Sequence, residues 1–428
     1  MISVPHLYEV FKQSNGISTD TRTIQKNQIF FAIRGDTFDG NEFVEFAIES
    51  GALAAVVERP DLAAKDKTYL VDDVLEMLQK LARFHRDKLA IPVIAITGTN
   101  GKTTTKELMA AVLSTSLKLH ATSGNFNNHL GVPLTLLSMP PDTEVAVVEM
   151  GANHPGEIGA LCEIARPTYG MITNIGRAHL EGFGNYEGVL RAKTELFDFL
   201  RSTGGIPFIN TDDPTFSNML RRFPKKITFP GVEDSYSCSL VEVNPYVKIK
   251  TGSGKIINSL LIGQYNFSNI AAALCVGHHF EVPESKAIEA IQSYQPSNNR
   301  SQVIDTGRNK LILDAYNANP ESMKAALASF NNMSSSFKVV ILGDMLELGE
   351  DAEAEHVLLG KKVSSMKLDK ILFVGSMSEH AANHCQDALY FPSKLELETY
   401  LKRESIESAT ILIKASRGIG LESLVELL

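Results

Sequence analysis

The chain is poor in the features that mark secreted, membrane-spanning or nucleic-acid-binding proteins. No apolar run in its 428 residues approaches the ~20 that a membrane helix needs. The opening stretch, MISVPHLYEVFKQSNG, has neither a basic start before an apolar core nor a small-residue cleavage site. No signal segment is therefore expected, and the expected location is the cytoplasm. Cys162, Cys238, Cys275 and Cys385 are too scattered for C-x-x-C or zinc spacing and are read as small buried apolar side chains. Basic charge is not in excess either: the formal net charge of -9 argues against a nucleic-acid partner. An anionic substrate would have to meet cations gathered locally against that field. No internal repeat or low-complexity segment stands out, and the expectation is a monomer acting on small molecules.

What is present reads as a multidomain globular chain. Hydrophobic content of 44% and charged content of 21% suit a protein that buries real cores, and a prior of roughly 150 residues per domain suggests three of them. Residues 1–88 alternate short β-type runs (IFFAI, AAVVE, TYLV) with helical stretches and end in the amphipathic LEMLQKLARFHRDKL. Ile91-Pro92 breaks the pattern. Residues 89–300 alternate PVIAITG, EVAVVEMG, YGMITNIG and IPFINTD with helical segments such as YEGVLRAKTELFDFLRS, the rhythm of a doubly wound parallel sheet. Within them, residues 225–262 read as a β-meander insertion. Residues 301–428 resume the alternation with KLILDAY, KVVILGD, KILFVGS and ATILIKAS, which predicts a Rossmann-like α/β domain.

The most informative stretch is AITGTNGKTTTKEL, residues 95–108. It nearly matches the phosphate-binding pattern G-x-x-x-x-G-K-[ST], but Ile96 stands where the first glycine belongs. A strand over 93–97, a glycine turn and a helix from Lys102 provide the context such a loop requires. Backbone N–H groups of 99–103 can wrap an anion at the helix's positive end. Lys102 would reach the β- and γ-phosphates, and the Thr103 hydroxyl would sit on Mg²⁺. The cradle Gly98–Thr103 does not need the missing glycine. Glu149 closes a second apolar strand, at the carboxyl edge where open α/β sheets place ligands.

The shortened loop TGTNGKTTT resembles the ATP loop of the Mur ligases. The resemblance runs along the chain through STDTRTIQKNQIFFAIRGDTFDG, GNFNNHLGVPLTLL, EMGANHPGEI, TNIGRAHLEGFG, DAYNANPESM and LGDMLELGE. These segments resemble the dipeptide-adding branch of the family. The branch that adds the third residue typically carries D-N-P-R, which is absent. Two departures, KASR for K-G-S-R at 414–417 and DGN for D-G-H at 39–41, leave the dipeptide and sugar contacts less defined.

The resemblance implies ATP-dependent amide formation: the carboxylate of a UDP-MurNAc-tripeptide becomes an acyl phosphate, and D-Ala-D-Ala displaces the phosphate. It assigns ATP contacts to Gly98, Thr99, Asn100, Gly101, Lys102, Thr103, Thr104, Asn266, Asn269, Arg300, Asp314 and Asn317. Mg²⁺ ligands would be Thr103, Glu149, His179 and Lys193, the last as a carbamate formed with CO₂, which presents the hard oxygen that such a cation prefers. Ser18, Asp20, Thr21, Arg22, Arg34, Gly35 and Asp36 would meet the uridine and diphosphate, Asn127 and Asn128 the tripeptide, and Lys414, Ser416 and Arg417 a substrate carboxylate. By residue type alone, Lys193 fits a solvated helix face and Asn266 and Asn269 fit helix capping. The 414–417 charges fit a surface loop, and the first-domain set fits plain turn chemistry. A third-residue or folylpolyglutamate-type ligase is the alternative within the reaction class, and a non-catalytic nucleotide-binding scaffold the alternative outside it.

Overall fold

The computed structural model describes residues 1–63 and 65–428. The first sheet is parallel and runs in sequence order: Ile17–Ser18, Ile29–Phe31, Ala54–Val57 and Thr68–Leu70. Its middle strands are buried along their whole length, as a parallel sheet covered on both faces demands. Helix Val74–Lys88 starts where the Asp73 carboxylate accepts from the Glu76 N–H, and carries His85, Arg86 and Lys88 in its last turn, where cations suit the helix dipole. It packs on Val4–Phe11 and also on the central-domain helices Gly131–Leu137 and Glu157–Ala165. Buried Arg86 donates to the carbonyls of Ala165, Leu89, Ile91 and Arg166. The expected break at Ile91-Pro92 is thus a fastened joint, and one apolar cluster continues across it.

The central sheet holds six parallel strands in the order Ile227–Phe229, Ile206–Asn210, Tyr169–Ile172, Val93–Thr97, Val145–Glu149, Leu119–Ala121. The chain crosses from one side of Val93–Thr97 to the other between Val145–Glu149 and Tyr169–Ile172, so the strand order reverses there. Ligands of open α/β sheets bind at the carboxyl ends beside such a reversal. The meander is smaller than the sequence pattern suggests: it comprises Cys238–Val243, Tyr246–Thr251 and Ile256–Ile262. Ile227–Phe229 instead extends the central sheet, with Ile227 opposite Phe208 in register. Alternation cannot separate a short edge strand from a hairpin strand; burial of Ile227 and Phe229 with Phe208 in the central core decides it.

The third sheet pairs Gln302–Asp305 antiparallel with Lys310–Asp314, and continues in parallel through Thr410–Lys414, Lys338–Gly343, Lys370–Val374 and Ala388–Phe391. The carboxyl ends of its first two parallel strands, Asp314 and Lys414, and the phosphate-type loop line one cavity of about 940 Å³. Among the described residues, no helix is long and apolar enough to cross a membrane, and the four cysteines are free and buried.

Candidate functional site

The loop after Val93–Thr97 explains its own glycines. Gly98 has φ +143°, and a Cβ there would lie 2.0 Å from Thr173 Oγ1; Gly101 has φ +79°, and a Cβ would lie 2.7 Å from Asn269 Oδ1. Position 96, by contrast, is an ordinary buried strand residue, so isoleucine suffices there. Of the N–H groups expected to face an anion, those of Thr99 and Asn100 are taken by the carbonyl and side chain of Asn174. Among the described residues nothing accepts from the N–H groups of Gly101, Lys102, Thr103 or Thr104. These are the orphan donors of a helix N-terminus, and they line the cavity. Gly98→Ala should therefore lower stability by about 1–3 kcal/mol through strain and weaken nucleotide binding, both readable by thermal unfolding with and without ADP. An unfolding curve and an ADP-induced shift identical to the parent's would contradict the reading.

Lys102 turns its ammonium onto the carbonyls of Gly98 (2.7 Å) and Thr99 (3.1 Å). Burial, partly opposed by Glu149 and reinforced by Arg300, pushes it down to about 8. Thr103 donates its hydroxyl proton to the Glu149 carboxylate at 3.0 and 3.2 Å. Glu149 is 1% exposed; it also accepts from Asn127 Nδ2 at 2.8 Å and lies 3.8 Å from the ammonium of buried Lys106. Asn127 therefore touches the carboxylate expected to hold Mg²⁺, whereas Asn128 caps the start of Gly131–Leu137 through the Gly131 N–H. Among the described residues, no cluster of three His, Cys, Asp or Glu side chains could hold a metal. The Thr103 hydroxyl and Glu149 carboxylate nevertheless fit Mg²⁺, which takes one or two carboxylates and leaves its other positions to water and phosphate oxygens.

Lys193 is not on a solvated face. It is 2% exposed, its ammonium donates to the Ala152 carbonyl at 3.3 Å, and it lies 5.3 Å from the centre of the Phe183 ring. Burial pushes it down to about 7, with Lys102 adding to the fall. The neighbouring carboxylates of Glu157 and Glu195 are occupied by backbone N–H groups of Asn153, His154, Gly156 and Gly159. His179, with φ +52°, pairs through Nδ1 with Glu347 of the third domain at 2.5 Å. This partner was not expected.

The third domain closes the cavity. Arg300 stacks 3.7 Å over the Tyr316 ring, its Nε is buried with no hydrogen-bond partner among the described residues, and it faces the cradle closely enough to disfavour charge on Lys102. Asn319 Nδ2 donates to Asn100 Oδ1 at 2.8 Å. Asn266 and Asn269 line the cavity, but their amides serve the protein. Asn266 donates to the Ile262 carbonyl, Asn269 donates to Asn266, and Thr105 donates to Asn269, a chain that ties the cradle helix to Asn266–His279.

The sequence reading of 414–417 needs correction. Lys414 is 1% exposed and is committed to Asp314 Oδ2 at 2.6 Å and to the Asn317 carbonyl at 3.1 Å. Asp314 also accepts from the Ser301 N–H, and the Asn317 side chain accepts from the Ala318 N–H. Buried Ser416 accepts from the Leu346 N–H and donates to the Ala318 carbonyl. Ser416 is not free for a substrate carboxylate, while Lys414, which lines the cavity, keeps one N–H beyond its two protein partners. Exposed Arg417, 5.3 Å over Tyr316, remains free for one. Removing one partner of a buried pair strands the other charge, so Lys414→Met should lower unfolding stability by about 3–5 kcal/mol in a denaturant titration; a loss under about 1 kcal/mol would show the pair to be dispensable.

In the first domain, Ser18 accepts from the Asp20 N–H, and Arg22 binds Asp20, holding its carboxyl down at about 2. Arg34 pairs across the turn with Asp39. Asn41, at the D-G-N departure, is 3% exposed and donates to Asp39 Oδ1, so it holds that turn. None of Ser18, Asp20, Thr21, Arg22, Arg34, Gly35 or Asp36 lines the main cavity. The first domain instead reaches it through Glu76, Gln79, Lys80 and Arg83. That face was legible as the polar 76/79/80/83 stripe of an amphipathic helix, but its period says nothing of what it meets.

Residues 13–86 match the Mur ligase family catalytic domain, 96–277 the Mur ligase middle domain and 299–417 the Mur ligase glutamate ligase domain. A UDP-N-acetylmuramoyl-tripeptide–D-alanyl-D-alanine ligase of Bacillus subtilis (strain 168) is 36% identical, covering 96% of this chain and 92% of that protein. A MurF crystal structure from Acinetobacter baumannii superposes with a TM-score of 0.87 at 30% identity, covering 98% of this chain and 97% of the other. A Thermotoga maritima MurF ligase in complex with ADP gives 0.86 at 25% identity, with 98% and 97% covered. Three consecutive domain matches, with relatives that align along nearly the whole chain, show that the chain belongs to the Mur ligase family, in its UDP-N-acetylmuramoyl-tripeptide–D-alanyl-D-alanine ligase branch.

Proposed function

We propose that the chain joins D-Ala-D-Ala to UDP-MurNAc-tripeptide through an acyl phosphate, using ATP. The observation that carries this reading is the single cavity in which the cradle donors, the Thr103–Glu149 pair, Arg300 and the first-domain helix face converge. A carboxylate must meet the γ-phosphate there, and two anions approach only where fixed cations and donors offset their repulsion. The γ-phosphoryl group passes to the carboxylate oxygen with release of ADP. The dipeptide nitrogen then attacks the acyl carbon, the carbon–oxygen bond to phosphate breaks, and the ammonium proton is lost.

Lys102 and Arg300 hold phosphate charge, and the orphan N–H groups of Gly101–Thr104 orient it. Thr103 and Glu149 would hold Mg²⁺, which when bound neutralises phosphate charge. The buried Lys193 amine, with no carboxylate partner among the described residues and held down at about 7, is suited to carbamylation. His179 keeps Nε2 for a further metal while Nδ1 holds Glu347, the usual arrangement of a ligating histidine oriented by a carboxylate. Bridging by Asn100–Asn319 and Arg177–Glu355 supports closure of the third domain over the nucleotide, which keeps water from the acyl phosphate.

Phosphate release from ATP, measured with a panel of UDP-muramoyl peptides and amine acceptors, tests the reading. Release with tripeptide plus D-Ala-D-Ala alone is expected. Release with a dipeptide and a diamino acid would favour a third-residue ligase, release with a folate and glutamate a folylpolyglutamate-type one, and no release with any pair a scaffold.

A further inference from the structure

Between the central and third domains the chain makes an unusual passage. Asn298, Asn299 and Ser301 all have positive φ, at +59°, +56° and +49°, within four residues. Left-handed backbone is uncommon outside glycine, and three such residues so close persist only where their surroundings fix them. Arg300 lies among them, and the passage is fastened to the central domain on both sides of it, with the third domain joining at Ser301. Behind it, Tyr294 donates its hydroxyl proton to Glu107 Oε2 at 2.6 Å, and Asn298 Nδ2 donates to Glu107 Oε1 at 3.2 Å. Ahead of it, the Ser301 N–H binds Asp314 and the Ser301 hydroxyl meets Tyr265 at 2.7 Å.

Glu107 lies on the cradle helix Lys102–Leu113 itself, little more than one turn beyond Lys102. Both oxygens of its carboxylate are thus spent on the connecting segment, from the same helix whose N-terminus faces the phosphates. We infer that Glu107 is a positioning residue: it clamps the 294–298 segment to the cradle helix so that Arg300 projects at the phosphates while the third domain moves. This rests on the reading of Arg300 as an ATP-phosphate contact. A clamp on the cradle helix fixes the strained backbone where it begins, at Asn298, and from there the chain turns into Gln302–Asp305 within three residues. It also explains how Arg300 can serve the central domain's nucleotide while joined to the third domain's first strand.

The test is affinity for a non-hydrolysable ATP analogue with Mg²⁺, measured by calorimetry on Glu107→Ala, Arg300→Ala and the double variant, with Tyr294→Phe plus Asn298→Ala as a second route should Glu107→Ala fail to fold. If Glu107 acts through Arg300, each single change should weaken binding roughly tenfold, and the double variant should be no weaker than Arg300→Ala, the signature of coupled neighbours. Steady-state rates should show the loss in KM for ATP, with KM for D-Ala-D-Ala unchanged. Independent, multiplying losses, or a Glu107→Ala protein that binds as tightly as the parent while Arg300→Ala does not, would overturn the clamp alone. Unchanged binding by Arg300→Ala would overturn the phosphate role of Arg300 and the clamp with it.

Discussion

Lys102→Ala should lose on the order of 10²–10³ in kcat/KM, the usual effect of removing one preorganised electrostatic donor, while its unfolding midpoint falls little or rises. The two halves of that expectation have one cause. In the free protein the Lys102 ammonium is held by two neutral carbonyls, Gly98 and Thr99, and burial holds it down at about 8. Such a cation is poorly compensated until an anion arrives, so its removal relieves the folded state even as it disables the site. The same shift sets a pH dependence. Above about pH 8 the free enzyme's Lys102 loses its proton, and bound phosphate must restore it, so KM for ATP should climb through that range. A variant keeping more than a tenth of parental activity would remove Lys102 from the phosphate cradle.

That cradle was legible in the sequence because it is local. Gly98, Gly101, Lys102 and Thr103 lie within six residues between a strand and a helix, a spacing visible in the chain even though Thr173, Asn269 and Glu149, which press on them, come from elsewhere in the fold. The alternation that located Val93–Thr97 and Val145–Glu149 also placed Glu149 at a strand end. What the sequence could not reveal was who partners whom across the fold. Lys414 and Asp314 are 100 residues apart and look like a substrate contact and a separate ATP contact until their strands pair in register. Asn266 and Asn269 are expected to read adenine; they line the cavity, and part of each amide's hydrogen-bonding capacity goes to Ile262, Thr105 and each other. His179 gave no sign of Glu347, because the two lie far apart in the chain and meet only through the packing of the third domain on the central one. Polar residues are easy to nominate for a ligand from type alone; whether the protein has already spent their hydrogen bonds is a property of the tertiary structure.

Lys193→Ala should be nearly inactive yet still bind ATP, and small carboxylates should restore part of the rate. A lysine buried to 2% exposure, with one carbonyl at 3.3 Å and no carboxylate partner among the described residues, is costly to keep as a bare ammonium. Held down at about 7, it is largely the free amine just above neutrality, and the free amine is the form that attacks CO₂. The resulting carbamate replaces a cation that would repel Mg²⁺ with an anionic oxygen that suits it. In the alanine variant the truncated side chain leaves space for acetate or propionate to supply that oxygen, whereas chloride at equal ionic strength should do less. The sign of the pH effect follows from the direction of the shift. Below about pH 7 the amine is protonated and cannot hold CO₂, so at low bicarbonate the parent's activity should rise as pH climbs through that value, and added bicarbonate should move the rise to lower pH. Carbon-13 NMR of protein equilibrated with labelled bicarbonate gives a readout besides activity: one carbamate resonance in the parent, absent from Lys193→Ala. Normal turnover by Lys193→Ala, or an identical spectrum from both proteins, would leave Lys193 as a buried structural amine.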